Sequence, residues 1–548
     1  MRSVMILCLL VVVDGIKFDL ERLSIDQISN SISANRSCAE ITAYFLSRIR
    51  KHNWQINAII TVDESGALQQ ADKLDQYYFR YGQPMGKLHC VPALIKDNIM
   101  VKGLPITLGL NLFVNSTAAE EAPCVVSLRQ AGAVILGKAN LSPMAMSAPD
   151  LPTIIGRVRN PHLPNLSASG SSSGNAAALA ARLCVIGLGS DTYGSTSSPA
   201  SATVTVGLRP AAGSFDMSGL FPIRGHTHDM IGVMALSVKD VCTVMDVLSF
   251  PNRTVDYEKW CGDGTLSDQP PVRVGIIGNM TYGSISFANG QNYSMDYETL
   301  LVFAQFEAKL RQLANVSVSI SWDELVIRAY KELSKDDAEA SCFCLTGLMN
   351  RYFEKYEMIT TYGDRINNVD DLLSHTPLNG SSWRAPRTRR VCASKYFGQW
   401  FCLLFYCHFK PGRSTLCQTF HQKAAASLQR LQNLFETTLF ETYDVLLFSW
   451  NPLEVISAPD FNKNQNLGDM GGLLAYPTLS IPIGFTQSSP IRWTALPVGA
   501  YLHIETTESP SDVECSQKIR GHLFGAKNAR RIPKLVGTME VGYVISYL

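Results

Sequence analysis

Two serine-glycine turns and a lysine supply residue types and spacings suited to acyl transfer. The first turn is Ser169-Gly-Ser171-Ser-Ser-Gly174 and the second runs from Gly189 to Ser195. Glycines let the backbone approach a reacting group closely, and successive backbone N–H groups can hold an oxyanion. Between the turns, Asn175 to Arg182 has the composition of a helix, and Leu183 to Leu188 reads as a buried strand. A flexible linker would not carry such apolar filling.

Two serines compete as nucleophile. Gly170 to Gly174 matches G-x-S-x-G, which would make Ser172 the nucleophile of a strand-to-helix elbow. That elbow must follow a buried strand, whereas the preceding segment holds Pro161 and Pro164. The second turn does follow an apolar strand and puts Ser195 at its end, so Ser195 is the stronger assignment. A serine also needs a base. Lys96 closes the apolar run Cys90-Val-Pro-Ala-Leu-Ile-Lys96, either as a buried base or as an ordinary lysine emerging at a strand end.

These blocks resemble the amidase signature family. Val91-Pro-Ala-Leu-Ile-Lys96-Asp97 matches its lysine block, with Cys90 where a glycine is usual. Ser169 to Gly174 matches the block holding its cis-serine, and Asp191-Thr-Tyr-Gly-Ser195-Thr-Ser-Ser-Pro-Ala200 the block of its nucleophile. The offsets, 171 − 96 = 75 and 195 − 171 = 24, follow the family layout. Flanking segments agree, among them Gly103-Leu-Pro-Ile-Thr107, Ala131 to Asn140, Arg159-Asn-Pro161 and Gly207-Leu-Arg-Pro210.

The resemblance implies an α/β fold, a mixed central sheet covered by helices on both faces. It also implies a carboxamide hydrolase without cofactor or metal: Lys96 as general base, Ser171 as proton relay, Ser195 as nucleophile, and the backbone of Thr192, Tyr193, Gly194 and Ser195 as oxyanion hole. The implied substrate is a small-molecule or lipid amide. The alternatives are an esterase, a catalytically weakened ligand-binding relative and one of the family's amidotransferase subunits. Departures bear on this choice. Tyr193 replaces a glycine, at a steric cost if the position needs positive φ. Thr196 and Ser197 remove an arginine with which the family braces its site, and Ser169 and Ser173 replace glycines.

The elements that must position these residues are legible in part. Ser37-Cys-Ala-Glu40 is a capping box opening a helix with Ile41, Tyr44, Phe45 and Ile49 on one face. Pro123 opens another helix before a strand at Ala133 to Leu136, and Gln418 to Phe440 reads as a long helix. Helices alternating with short apolar strands indicate an α/β sheet. Residues 16–505 are expected to form one domain, with a variable insert at about 265–420 that shapes the substrate entrance and a divergent tail at 506–548. In the insert, the aromatic run Tyr396 to Phe409 is either a membrane-surface patch or, preferably, a buried core helix.

A formal net charge of +1 among 548 residues argues against nucleic acid as a partner. Residues 1–15 read as a secretory signal, with Arg2 before the apolar run Val4 to Val13. Glycosylation sequons at Asn35, Asn115, Asn140, Asn165, Asn252, Asn279, Asn292, Asn315 and Asn379 favour export. The expected location is therefore secreted or lumenal. The 14 cysteines suit an oxidising compartment, although their pairing cannot be deduced from sequence, and Cys184 reads as a small buried hydrophobe.

Overall fold

A computed structural model describes residues 23–146, 153–211, 214–225, 228–249, 271–282, 284–286, 292–294, 297–313, 315–322, 348–375, 426–449, 478–485 and 497–504. The signal segment, the aromatic run at 396–409, the N-terminal part of the 418–440 stretch and the 506–548 tail lie outside these residues.

Fifteen strands occur among the described residues. Six belong to the first half of the chain: β1 (Ile59–Val62), β2 (Pro92–Lys96), β3 (Val134–Ala139), β4 (Ile186–Asp191), β5 (Val206–Arg209) and β6 (Met230–Ala235). The others are β7 (Val272–Ile277), β8 (Ser284–Ser286), β9 (Asn292–Ser294), β10 (Val316–Ser321), β11 (Met358–Ile359), β12 (Arg365–Ile366), β13 (Val445–Ser449), β14 (Thr478–Phe485) and β15 (Pro497–Ile504). Eleven form one sheet in the order β1-β3-β2-β4-β6-β5-β14-β15-β13-β7-β10, while β8-β9 and β11-β12 are separate pairs.

The sheet is mixed, as expected. β2 lies parallel to β3 and β4, but β4 is antiparallel to β6 and β6 to β5. Every residue of β2, β3, β4 and β6 is buried. Strands without an exposed face need cover on both sides, which explains their near-continuous apolar sequences.

Helices α1 (Ile25–Ser33), α2 (Cys38–Ile56), α3 (Glu64–Tyr81), α4 (Pro123–Gln130), α5 (Ser173–Ala180), α6 (Ser197–Ala202) and α7 (Val238–Leu248) belong to this half. The capping box forms at the start of α2: Glu40 N–H donates to Ser37 Oγ, and Ser37 N–H to Glu40 Oε2, both at 3.0 Å. Ile41, Phe45 and Ile49 are buried along its inner face. Pro123 stands at the first position of α4, where a missing N–H costs nothing.

Boundaries in the chemically interesting stretch move by a few residues. The helix begins at Ser173, and the strand begins at Ile186 rather than Leu183. Arg182 is left-handed (φ 59°) and Leu183 N–H caps Ala178 O at 2.8 Å, so these residues close α5 before β4 can start. No helix among the described residues is long and apolar enough to cross a membrane.

Candidate active site

Lys96 is the last residue of β2, and its side chain is fully buried. Its Nζ donates to Ser171 Oγ at 2.7 Å, to Ser190 Oγ at 2.9 Å and to Ser190 O at 3.3 Å. Burial lowers the Lys96 ammonium from its ordinary 10.5 to about 7, although the carboxylates of Asp191 and Asp229 pull it upward. A lysine so placed is substantially neutral near pH 7 and can accept a proton.

Ser171 follows a cis Gly170–Ser171 peptide and is 4% exposed. Its carbonyl accepts from Ser142 N–H at 3.1 Å, and the next residue, Ser172, donates its N–H to Ser195 O at 3.0 Å. That bond ties the two serine-glycine turns together across 195 − 172 = 23 residues of sequence. Ser195 is half-buried, whereas Lys96 and Ser171 are buried. Ser172 is fully buried, with its Oγ donating to Ser190 O at 3.1 Å and accepting from Ser190 N–H at 3.3 Å. It serves as the N-cap position of α5 and follows a loop, so the elbow geometry that a nucleophilic Ser172 requires is absent.

The loop holding Ser195 is organised by carboxylates. Asp191, at the end of β4, accepts Gly194 N–H at 2.8 Å and Thr196 N–H at 2.5 Å. Gly194 adopts φ 95° and is the loop's left-handed residue. Tyr193 is not left-handed, so its replacement of a glycine carries no backbone strain; its ring packs beside His228, with centroids 5.8 Å apart. Because Gly194 N–H already serves Asp191, it reaches an oxyanion only by sharing that bond. Asp229 supports the loop's start: it accepts Thr192 Oγ1–H at 2.7 Å and the N–H groups of Ile223, Arg224 and Gly225. Burial raises the Asp229 carboxyl above its ordinary value, and these hydrogen bonds oppose the rise.

Several residues around Lys96 were not singled out by sequence reasoning. Ser190 Oγ also accepts from Asn98 Nδ2 at 3.0 Å, so one hydroxyl bridges Asn98 and the lysine. Asp97 and Lys138, both fully buried, form an ion pair at 3.5 Å, and Thr107 donates both N–H and Oγ1–H to Asp97 Oδ2. The available signal was polar residues ending apolar strands, which is too common to assign a role.

The other departures from the family pattern have local outcomes. Ser169 adopts the left-handed φ of 58° that a glycine would take freely, and Cys90 does the same at φ 65°. Cys90 is joined to Cys38 by a disulfide, which links the start of α2 to the residues leading into β2. Cys124 and Cys184 are buried and free, as expected for Cys184. Among the sequons, Asn35, Asn115 and Asn165 are exposed. Asn140 corrects the export argument at one position. It is fully buried, with its Nδ2 donating to Asn57 O at 2.8 Å, so it has neither the space nor the free amide a glycan needs.

Comparison with known proteins bears on the family and the fold. The A subunit of glutamyl-tRNA(Gln) amidotransferase from Salinibacter ruber is 38% identical over 237 residues, 42% of this chain and 46% of the relative. Its counterpart from Chlorobium luteolum is 28% identical over 485 residues, 87% of this chain and 92% of the relative. The fold is that of a peptide amidase from Stenotrophomonas maltophilia, with a TM-score of 0.73 at 21% identity, covering 95% of this chain and 97% of that one. The family profile described as Amidase matches residues 40–503, and the chain belongs to that family.

Proposed function

We propose that this chain hydrolyses a carboxamide through an acyl-serine intermediate. The observation that carries the reading is the buried Lys96 Nζ–Ser171 Oγ contact of 2.7 Å, made by a lysine whose burial lowers its ammonium to about 7. Neutral Lys96 takes the Ser171 hydroxyl proton as Ser171 takes that of Ser195. Ser195 Oγ then bonds to the amide carbon, and the carbonyl electrons move onto oxygen. N–H groups of the Thr192–Ser195 loop hold that oxyanion. Collapse breaks the C–N bond as Ser171 returns a proton to the leaving nitrogen. Water entering by the same relay cleaves the acyl ester and releases the acid.

The substrate in this reading is a small-molecule or lipid amide. The relatives named as amidotransferase A subunits support a second reading, in which the released amide nitrogen passes to an acceptor within a complex of several chains. For location we propose the secretory pathway, supported by the Cys38–Cys90 disulfide and by the exposed sequons at Asn35 and Asn165.

The test is labelling with a fluorophosphonate probe, comparing wild type with Ser195→Ala and Lys96→Ala. Labelling that disappears in Ser195→Ala and slows greatly in Lys96→Ala is expected. Persistent labelling in Ser195→Ala overturns the nucleophile assignment. A folded wild type that never labels overturns the catalytic reading in favour of a ligand-binding relative.

A further inference from the structure

Arg209 closes β5 and is fully buried, an unusual place for a guanidinium. Its Nε stands 3.7 Å from Asp191 Oδ1, and its Nη2 donates to His228 O at 3.0 Å. Both contacts lead to the Ser195 loop. Asp191 holds the N–H groups on either side of Ser195, and His228 precedes Asp229, which holds Thr192. One cation therefore spans the two carboxylate-bearing segments that shape this loop.

The charges around it are unbalanced without that cation. β4 presents Asp191, and the segment entering β6 presents His228 and Asp229. Arg224 lies in the turn whose N–H groups bind Asp229. α6 and Thr478, which sits opposite Arg209 on β14, offer no titratable group. In α7, Asp240 accepts from Ile25 N–H and Asp246 pairs with Lys87. On the Lys96 side, Asp97 is paired with Lys138.

We propose that Arg209 is a positioning residue for the amide-cleaving site: it offsets the Asp191 carboxylate, so that Asp191 can hold the Ser195 loop without leaving an uncompensated negative charge near Lys96. This inference rests on the acyl-serine reading above. Ser197, where the family has an arginine, opens α6 and carries no charge; the cation beside Asp191 is Arg209, which closes β5. It touches neither substrate nor nucleophile.

The pH dependence of fluorophosphonate labelling tests it, with wild type, Arg209→Met and Arg209→Lys compared. Wild-type labelling should fall as pH drops through about 7, where Lys96 gains its proton. Arg209→Met leaves Asp191 unopposed, so the midpoint should move to higher pH by about one unit, with labelling at pH 7 about fivefold lower than any change in the plateau explains. Arg209→Lys should restore the midpoint with a reduced plateau, because one ammonium cannot reproduce the forked contact to Asp191 and His228 O. A wild-type midpoint in Arg209→Met overturns the inference, as does an Arg209→Lys midpoint displaced like that of Met. If Arg209→Met does not fold, Asp191→Asn/Arg209→Met decides: loss of both charges should leave the midpoint at or below wild type, and a higher one overturns the inference. A wild type that never labels is a separate outcome, which overturns the acyl-serine reading and this inference with it.

Discussion

Lys96→Met is expected to erase a pH dependence of stability that the wild-type chain carries between about pH 7 and 10.5. Burial lowers the folded Lys96 ammonium to about 7, whereas in the unfolded chain it returns to the ordinary 10.5. Between those values the unfolded chain binds a proton that the folded chain has released. Stability therefore rises with pH across this window, is flat below it where both states are protonated, and is flat above it where both are neutral. Each pH unit contributes about 1.4 kcal/mol, so wild type should gain about 5 kcal/mol relative to Lys96→Met over the full window. The variant also loses the bonds to Ser171 and Ser190. That loss displaces its stability by a constant and leaves the slope untouched. Urea unfolding of both proteins at half-unit steps from about pH 6 to about pH 10 measures the difference directly. A wild-type-minus-variant difference that stays level within about 1 kcal/mol over that range would refute the buried-neutral-lysine argument.

Three further outcomes are expected. Ser190→Ala removes one of the two hydroxyls on Lys96 Nζ and strands Asn98 Nδ2, so labelling of Ser195 should slow by about tenfold, the equivalent of about 1.4 kcal/mol, with little change in fold by circular dichroism. Cys90→Ser opens a loop of sequence separation 52 and should cost about 4 kcal/mol in denaturant unfolding; a variant that unfolds at the wild-type denaturant concentration would show that this bridge contributes little. Gly174→Ala puts a methyl against the backbone of Asn140 and Ala58, two rigid neighbours, and should lower stability by more than about 3 kcal/mol; a variant melting like wild type would show that this junction can yield.

The amidase blocks made Lys96, Ser171 and Ser195 legible because each couples a reactive side chain to an apolar or glycine-rich setting. The structure brings Lys96 against Ser171 and ties the Ser171 turn to Ser195 through Ser172 N–H. Their roles in the reaction belong to the proposal. The capping box at Ser37 and the proline at the start of α4 were equally readable, since caps act within a few residues. Long-range partners were not. Nothing local to Arg209 announces that β5 ends within reach of Asp191, because that proximity comes from strand β6 lying between β4 and β5. The Cys38–Cys90 pair depends in the same way on where α2 meets the approach to β2. Asn140 shows the converse: its sequon is local, but tertiary packing closes over the side chain. The expected start of β4 was early because Leu183 to Val185 are as apolar as the strand itself, and only the left-handed Arg182 marks the boundary.

The position of β5 has a consequence for how the protein is made. Its Arg209 end pairs with Thr478 of β14, a separation of 478 − 209 = 269 residues. During synthesis at roughly 5–20 residues per second, β5 waits about 15–50 s for that partner. Over this interval the half of the chain bearing Lys96, Ser171 and Ser195 has emerged with an unfinished sheet margin, whose main-chain groups are open to any other extended segment. The nascent chain must therefore be shielded along this seam until its last strands arrive, and truncation before β14 would leave the candidate catalytic half adhesive rather than merely inactive.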